Sequence, residues 1–111
     1  MDVQLRKGLL EVCVLAAMRR HDSYGYQIIR EIEPFVEISE STLYPILRRL
    51  ESAAFLTVRT AEHNGRLRKY YHITPLGRKR IETFLEEWEE MISIYQVVTR
   101  GEKENQRHDE T

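Results

Sequence analysis

The sequence predicts a mainly α-helical fold with one two-stranded β-wing: a winged helix-turn-helix extended by a long C-terminal dimerisation helix. Three observations predict it. Residues 39–50 read Ser-Glu-Ser-Thr-Leu-Tyr-Pro-Ile-Leu-Arg-Arg-Leu, a capped amphipathic helix with hydroxyl, phenol and guanidinium groups on its polar side. Asn64-Gly65, the strongest short hairpin signal, leads into Arg66-Leu67-Arg68-Lys69-Tyr70-Tyr71, a basic tip running into an aromatic strand. From Pro75 onward the apolar residues recur in heptads.

Helix one is expected from Val3 to Arg20. Its apolar residues, Leu5, Leu9, Leu10 and Val12 to Met18, cover too much of the circumference for one stripe, so it is expected to be buried on two sides, the second against another subunit. Asp22 and Ser23 are candidate caps for helix two, Ser23 to Ile32, which Pro34 stops. Phe35 to Ile38 alternates and reads as a connector with one pairing to the wing. Ser39 caps helix three, Glu40 to Ala54, whose buried stripe is Leu43, Ile46, Leu47 and Leu50; Pro45 costs it one backbone hydrogen bond. The strands are expected over 56–60 and 68–73, with Tyr71 and Ile73 on one face and Arg68, Tyr70 and His72 on the other. Thr74 caps the last helix, with Pro75 in its first turn.

In that helix Ile81, Trp88 and Tyr95 share one heptad position, Phe84, Met91 and Val98 the next, and Leu85 and Ile92 widen the seam. One helix cannot bury so wide a seam, so a second copy is implied. Leu9, Ile81, Phe84, Leu85, Trp88, Met91, Ile92 and Tyr95 form the candidate interface. Gly101 is expected to end the helix. The organisation is therefore 1–74, the winged helix-turn-helix; 75–100, the dimerisation helix; and 101–111, an acidic tail expected to be disordered.

The 111 residues suit one domain, and the net charge of −1 hides a polarised chain. Residues 1–40 carry −2, residues 41–80 hold nine basic against two acidic side chains, and residues 81–111 carry −6. The basic third contains helix three and the wing, where a polyanion would be met. No signal peptide is read in the polar start, and no apolar stretch approaches a membrane span. Cys13, the single cysteine, suits a reduced, cytoplasmic protein. Four histidines without ligand spacing argue against a metal, and no phosphate loop, nucleophile elbow or paired carboxylate points to an enzyme or a cofactor.

Arg66, Arg68 and Lys69 beside Arg48, Arg49 and the helix-three hydroxyls supply cations at two sites, as setting register on a duplex requires. Tyr44 has two readings, core and phosphate contact. Arg78, Lys79 and Arg80 crowd the positive end of the last helix, an arrangement relieved by a nearby anion or by plain exposure. Trp88 reads as interface core, or as the wall of a cavity where a flat aromatic compound stacks. A rival reading, a winged-helix module that binds protein and not DNA, stays open at this point.

Tyr24-Gly25-Tyr26-Gln27-Ile28-Ile29, then Ser41-Thr42-Leu43-Tyr44-Pro45-Ile46-Leu47-Arg48-Arg49-Leu50-Glu51, then Arg68-Lys69-Tyr70-Tyr71-His72-Ile73-Thr74-Pro75-Leu76-Gly77 resembles the PadR family of bacterial transcriptional regulators over about residues 5–98. One helix after the wing resembles its short branch, which includes multidrug-responsive repressors. The resemblance implies a homodimer in which the last helix packs on helix one of the other subunit. It also implies a repressor of a nearby gene released by a small aromatic effector; a symmetric dimer in turn predicts a pseudo-palindromic double-stranded operator. Carried over by position, Ser39, Ser41, Thr42, Tyr44 and Arg48 would meet DNA from helix three and Arg66, Arg68 and Lys69 from the wing; Tyr24 and Tyr70 complete the candidate DNA set. Leu5, Gly8, Val12, Trp88 and Ile92 would line the effector cavity. Ile92 stands where that branch can place an acid, so a neutral or anionic aromatic fits better than a cation.

Overall fold

The computed structural model describes residues 1–109, with side chains through residue 102. Its elements are α1 (Val3–Ala17), α2 (Gly25–Ile32), α3 (Glu40–Ser52), β1 (Leu56–His63), β2 (Arg66–Ile73) and α4 (Pro75–Asp109). The chain divides into two compact units, Met1–Ile81 and Glu82–Thr111.

In the first unit α1, α2 and α3 pack on one another and α3 also packs on β1. The stripe expected of α3, Leu43, Ile46, Leu47 and Leu50, is buried against a core that includes Val14 and Leu15 of α1, Ile28 of α2, and Leu56 and Ile73 of the hairpin. Each of these side chains contributes roughly 1.5–3 kcal/mol by leaving water. Asp2 caps α1 by accepting from the Leu5 N–H at 3.0 Å. The helix stops at Ala17 and not at Arg20, because the Met18 and Arg19 amides turn back three residues to Leu15 and Ala16.

Helix α2 starts at Gly25, two residues later than expected, and neither Asp22 nor Ser23 caps it. Both are committed elsewhere. The Ser23 N–H donates to the Tyr71 carbonyl at 3.1 Å and its carbonyl accepts from the Tyr71 N–H at 2.7 Å, so Ser23, and not the Phe35–Ile38 connector, pairs with the wing. Asp22 is bound by two wing side chains, His72 and Arg59.

Helix α3 begins at Glu40, yet Ser39 makes no side-chain cap bond. It ends at Ser52, short of Ala54. Ala54 adopts a left-handed φ of 63°, its N–H donates to the Glu51 carbonyl and the Phe55 N–H to the Leu50 carbonyl. This is a Schellman ending built on alanine where glycine is usual.

The strands are longer than expected, pairing from Leu56↔Ile73 to His63↔Arg66. That leaves a two-residue turn, Asn64 (φ 50°) and Gly65 (φ 78°), a type I′ geometry whose twist matches the strands. Thr74 caps α4, accepting from the Gly77 N–H at 3.1 Å. Its own N–H and hydroxyl donate to the carbonyls of Phe55 and Ala54, joining the start of α4 to the end of α3.

In the second unit α4 runs through Gly101 to Asp109. Gly101 is therefore not the stop: a helical glycine costs about 1 kcal/mol relative to alanine, which one site in a long run of good helix formers absorbs. The tail expected at 101–111 meets helical backbone as far as 109; residues 110 and 111 lie outside the described residues. Leu85, Trp88, Met91 and Ile92 are 44–46% exposed and Tyr95 more so. Ile81, in the first unit, is 3% exposed and is core rather than open seam.

Candidate nucleic-acid interface

Tyr24, Gly25 and Tyr26 at the start of α2, Tyr44 of α3, and Leu67, Arg68, Lys69 and Tyr71 of the wing line one open groove. Gly25 leaves room for the Tyr44 ring: a Cβ there would lie 2.7 Å from the Tyr44 hydroxyl and push that side chain aside. The half-exposed Tyr44 ring borders this groove and is not a core residue. The first N–H groups of α2 have no partner within the helix and Tyr24 supplies no side-chain cap, so free donors lie at the groove that Arg68 and Lys69 also line.

A ladder of rings and guanidinium groups holds the wing against α2. Arg68 Cζ lies 3.9 Å from the Tyr24 ring centroid, Tyr24 and Tyr70 meet edge to face at 5.8 Å, and Arg59 Cζ lies 4.7 Å from the Tyr70 centroid. Each cation–π contact is worth about 0.5–1 kcal/mol at an exposed site. Arg59 and Tyr70 are register partners across the hairpin, so once the Asn64-Gly65 turn is read as two residues the pairing follows from the sequence.

Asp22 anchors the outer end of this ladder, 2.7 Å from His72 Nδ1 and 3.4 Å from Arg59 Nε. The His72 hydrogen bond, then the nearby charges of His72 and Arg59, hold the Asp22 carboxyl below its ordinary value. A depressed folded-state value means stability that is present above the unfolded-chain value of about 3.9 and lost as pH falls through the folded one. Thermal melts of Asp22→Asn and the parent should differ at pH 5–7 and converge as pH drops below about 4. A gap that stays constant down to pH 2.5 would show that the charge is not what counts.

At the start of α3, Ser39 Oγ lies 2.9 Å from Ser41 Oγ and 3.1 Å from Thr42 Oγ1. All three residues are exposed, as is Arg48. Rotatable hydroxyls at a helix N-terminus can donate to phosphate or accept from a base edge. Arg66 and Lys69 are exposed on the wing, while Arg68 is half-buried by its stacking on Tyr24.

Arg49, grouped with Arg48 by sequence, is not a free cation. Its Nε and Nη2 both donate to the Glu11 carboxylate of α1. That hydrogen bond raises the Arg49 guanidinium still further above neutrality. Glu11 is 7% exposed, a buried charge that the apolar run around it did not explain until its partner was placed.

The candidate effector residues divide between the units. In the first, Leu5 is exposed and Gly8 has open space beside it, but Val12 is 6% exposed and lacks free surface. In the second, Trp88 stacks on Phe84 with centroids 6.1 Å apart, and Ile92 is exposed one turn on. Burial pushes the Cys13 thiol up, keeping it protonated and poorly nucleophilic. Among the described residues no group of His, Cys, Asp and Glu could hold a metal, and no helix is long and apolar enough to cross a membrane.

Residues 14–83 match the transcriptional regulator PadR-like family. The structure is similar to that of a Streptococcus mutans UA159 protein, with 45% identity over 83% of this chain and 88% of that one, TM-score 0.73. It is also similar to a PadR-like transcriptional regulator from Bacillus cereus strain ATCC 14579, with 30% identity over 86% of this chain and 95% of that one, TM-score 0.73. Bacillus subtilis PadR, solved in complex with operator DNA, is 26% identical over 69% of this chain and 46% of its own length, TM-score 0.64.

Proposed function

As the chain belongs to the PadR-like family of transcriptional regulators, we propose that it is a homodimeric operator-binding repressor released by a small aromatic effector. The family consists of transcription regulators, so the chain is a DNA-binding regulator and not an enzyme; the protein-interaction reading gains no support from this. The finer reading places α3 in the major groove with Ser39, Ser41, Thr42, Tyr44 and Arg48 toward the duplex. Arg66, Arg68 and Lys69 meet flanking phosphates.

The observation that carries it is the groove in which the α2 N-terminus, Tyr44 and the wing cations converge. Arg68→Ala with Lys69→Ala tests it. Binding followed by fluorescence anisotropy should weaken for every duplex, and the salt slope should shrink by about 0.9 for each phosphate that is no longer neutralised. An unchanged slope would remove the wing from the interface. Thr42→Ala should instead alter preference among sequences.

The exposed α4 residues support a second copy, because a row of half-exposed Leu, Trp, Met and Ile is costly to leave in water. A two-fold dimer calls for a pseudo-palindromic operator with half-sites about one helical turn apart. For the effector, Trp88 offers the ring face that Phe84 does not cover, and it is the chain's single tryptophan. Quenching of its fluorescence by neutral or anionic planar aromatics, together with weaker operator binding, is the expected behaviour. Operator affinity that stays constant with every compound that quenches Trp88 would remove the effector from the reading.

A further inference from the structure

The Glu11–Arg49 pair is the place where α1 grips the reading helix. A carboxylate as buried as Glu11 loses its hydration and needs a partner of matched geometry. Arg49 meets it with two parallel N–H donors, the arrangement that fixes orientation as well as charge. Glu11 is buried but the Arg49 side chain is 55% exposed, so solvent screens much of the attraction and the value of the pair lies in its geometry. Arg49 follows Arg48 directly on α3, and on α1 Glu11 lies one turn beyond Gly8 and two beyond the exposed Leu5.

We propose that Glu11 and Arg49 are positioning residues that tie the orientation of α3 to that of α1, so that discrimination between DNA sequences depends on a pair that touches no DNA. This rests on the reading of α3 as the recognition helix. In this reading Arg49 is spent on Glu11 through Nε and Nη2, although its side chain stays half exposed. Displacement of α1 at its outer surface reaches α3 through a two-point clamp rather than through apolar packing alone, which permits sliding.

The test uses the full chain and the duplex that the parent protein enriches from a random library, with a shuffled duplex as control. Failure of the parent to enrich any sequence would remove the recognition-helix reading and this inference with it. Given enrichment, Glu11→Gln and Arg49→Lys each keep most of the packing but lose the two-point match. Each should lower the ratio of selected to shuffled affinity about tenfold or more, with shuffled-duplex affinity and salt slope unchanged. If Glu11→Gln instead tightens binding to both duplexes and steepens the slope by about 0.9, Arg49 is a phosphate contact waiting to be freed and the proposal fails. It fails equally if the ratio stays at the parent value. Should either variant melt, the double variant Glu11→Met with Arg49→Met supplies an apolar pair of similar length. Restored melting with discrimination still lost upholds the positioning role, whereas restoration of both shows that the pair only stabilises.

Discussion

Replacing Leu85 and Ile92 by glutamate should convert the proposed dimer to a monomer at micromolar concentration and cost about 10²–10⁴-fold in operator affinity. The two positions are seven residues apart on α4 and each is near half exposed in the single chain. Burying such side chains contributes roughly 1.5–3 kcal/mol apiece. Two-fold symmetry counts every substitution twice, so four apolar contributions disappear and four carboxylates enter a seam already flanked by Glu82, Glu86, Glu87, Glu89 and Glu90. Loss of the second half-site removes an avidity of about 10²–10⁴. Glutamate is preferred to lysine because added cations would raise non-specific DNA affinity and mask the loss. Light scattering and anisotropy should move together. A variant that stays dimeric at micromolar concentration would place the interface elsewhere on the chain.

The features legible in the sequence were those set by local chemistry. Asn64-Gly65 specified the turn because two consecutive positive φ values admit few residues, and the 3, 4 and 7 spacing of Leu43, Ile46, Leu47 and Leu50 specified the buried face of α3. The basic wing was visible because charge needs no fold to be counted. What was misplaced depended on partners far along the chain. Ser23 looks like a cap, but its backbone is spent on Tyr71; Asp22 looks like a cap, but its carboxylate goes to His72 and Arg59. Gly101 looks like a stop, although a helical glycine only lowers stability. Glu11, a lone acid inside the apolar run of a buried helix, calls for a cation facing it, and only the fold shows that the cation is Arg49.

The second large effect concerns a glycine whose necessity no local pattern reveals. Gly77→Ala should destabilise the first unit by about 3 kcal/mol, the upper range for overpacking. A Cβ at Gly77 would lie 2.2 Å from the Phe55 carbonyl oxygen and 2.8 Å from Ile73 Cγ1. The first contact is backbone and cannot swing aside. That oxygen also accepts from the Thr74 N–H at 3.1 Å, so moving it breaks the bond that joins the start of α4 to the end of α3. The strain falls beside Ala54, already in the left-handed region, and beside Thr74, which caps α4 through the Gly77 amide. Relaxation on either side therefore disturbs a second element. At roughly 4–8 °C per kcal/mol for a domain of this size, the melting temperature should fall by more than 10 °C. Gly101→Ala is the matched control: nothing lies within 4 Å of its Cβ position, and alanine there should stabilise the helix by up to about 1 kcal/mol. If Gly77→Ala melts within 2–3 °C of the parent (roughly 0.5 kcal/mol on that scale), the close approach of Phe55 to Gly77 is not what seats α4. If only Gly77→Ala collapses, the joint between Ala54-Phe55 and Thr74-Gly77 holds the start of α4 in place, and with it the wing strand that leads into it.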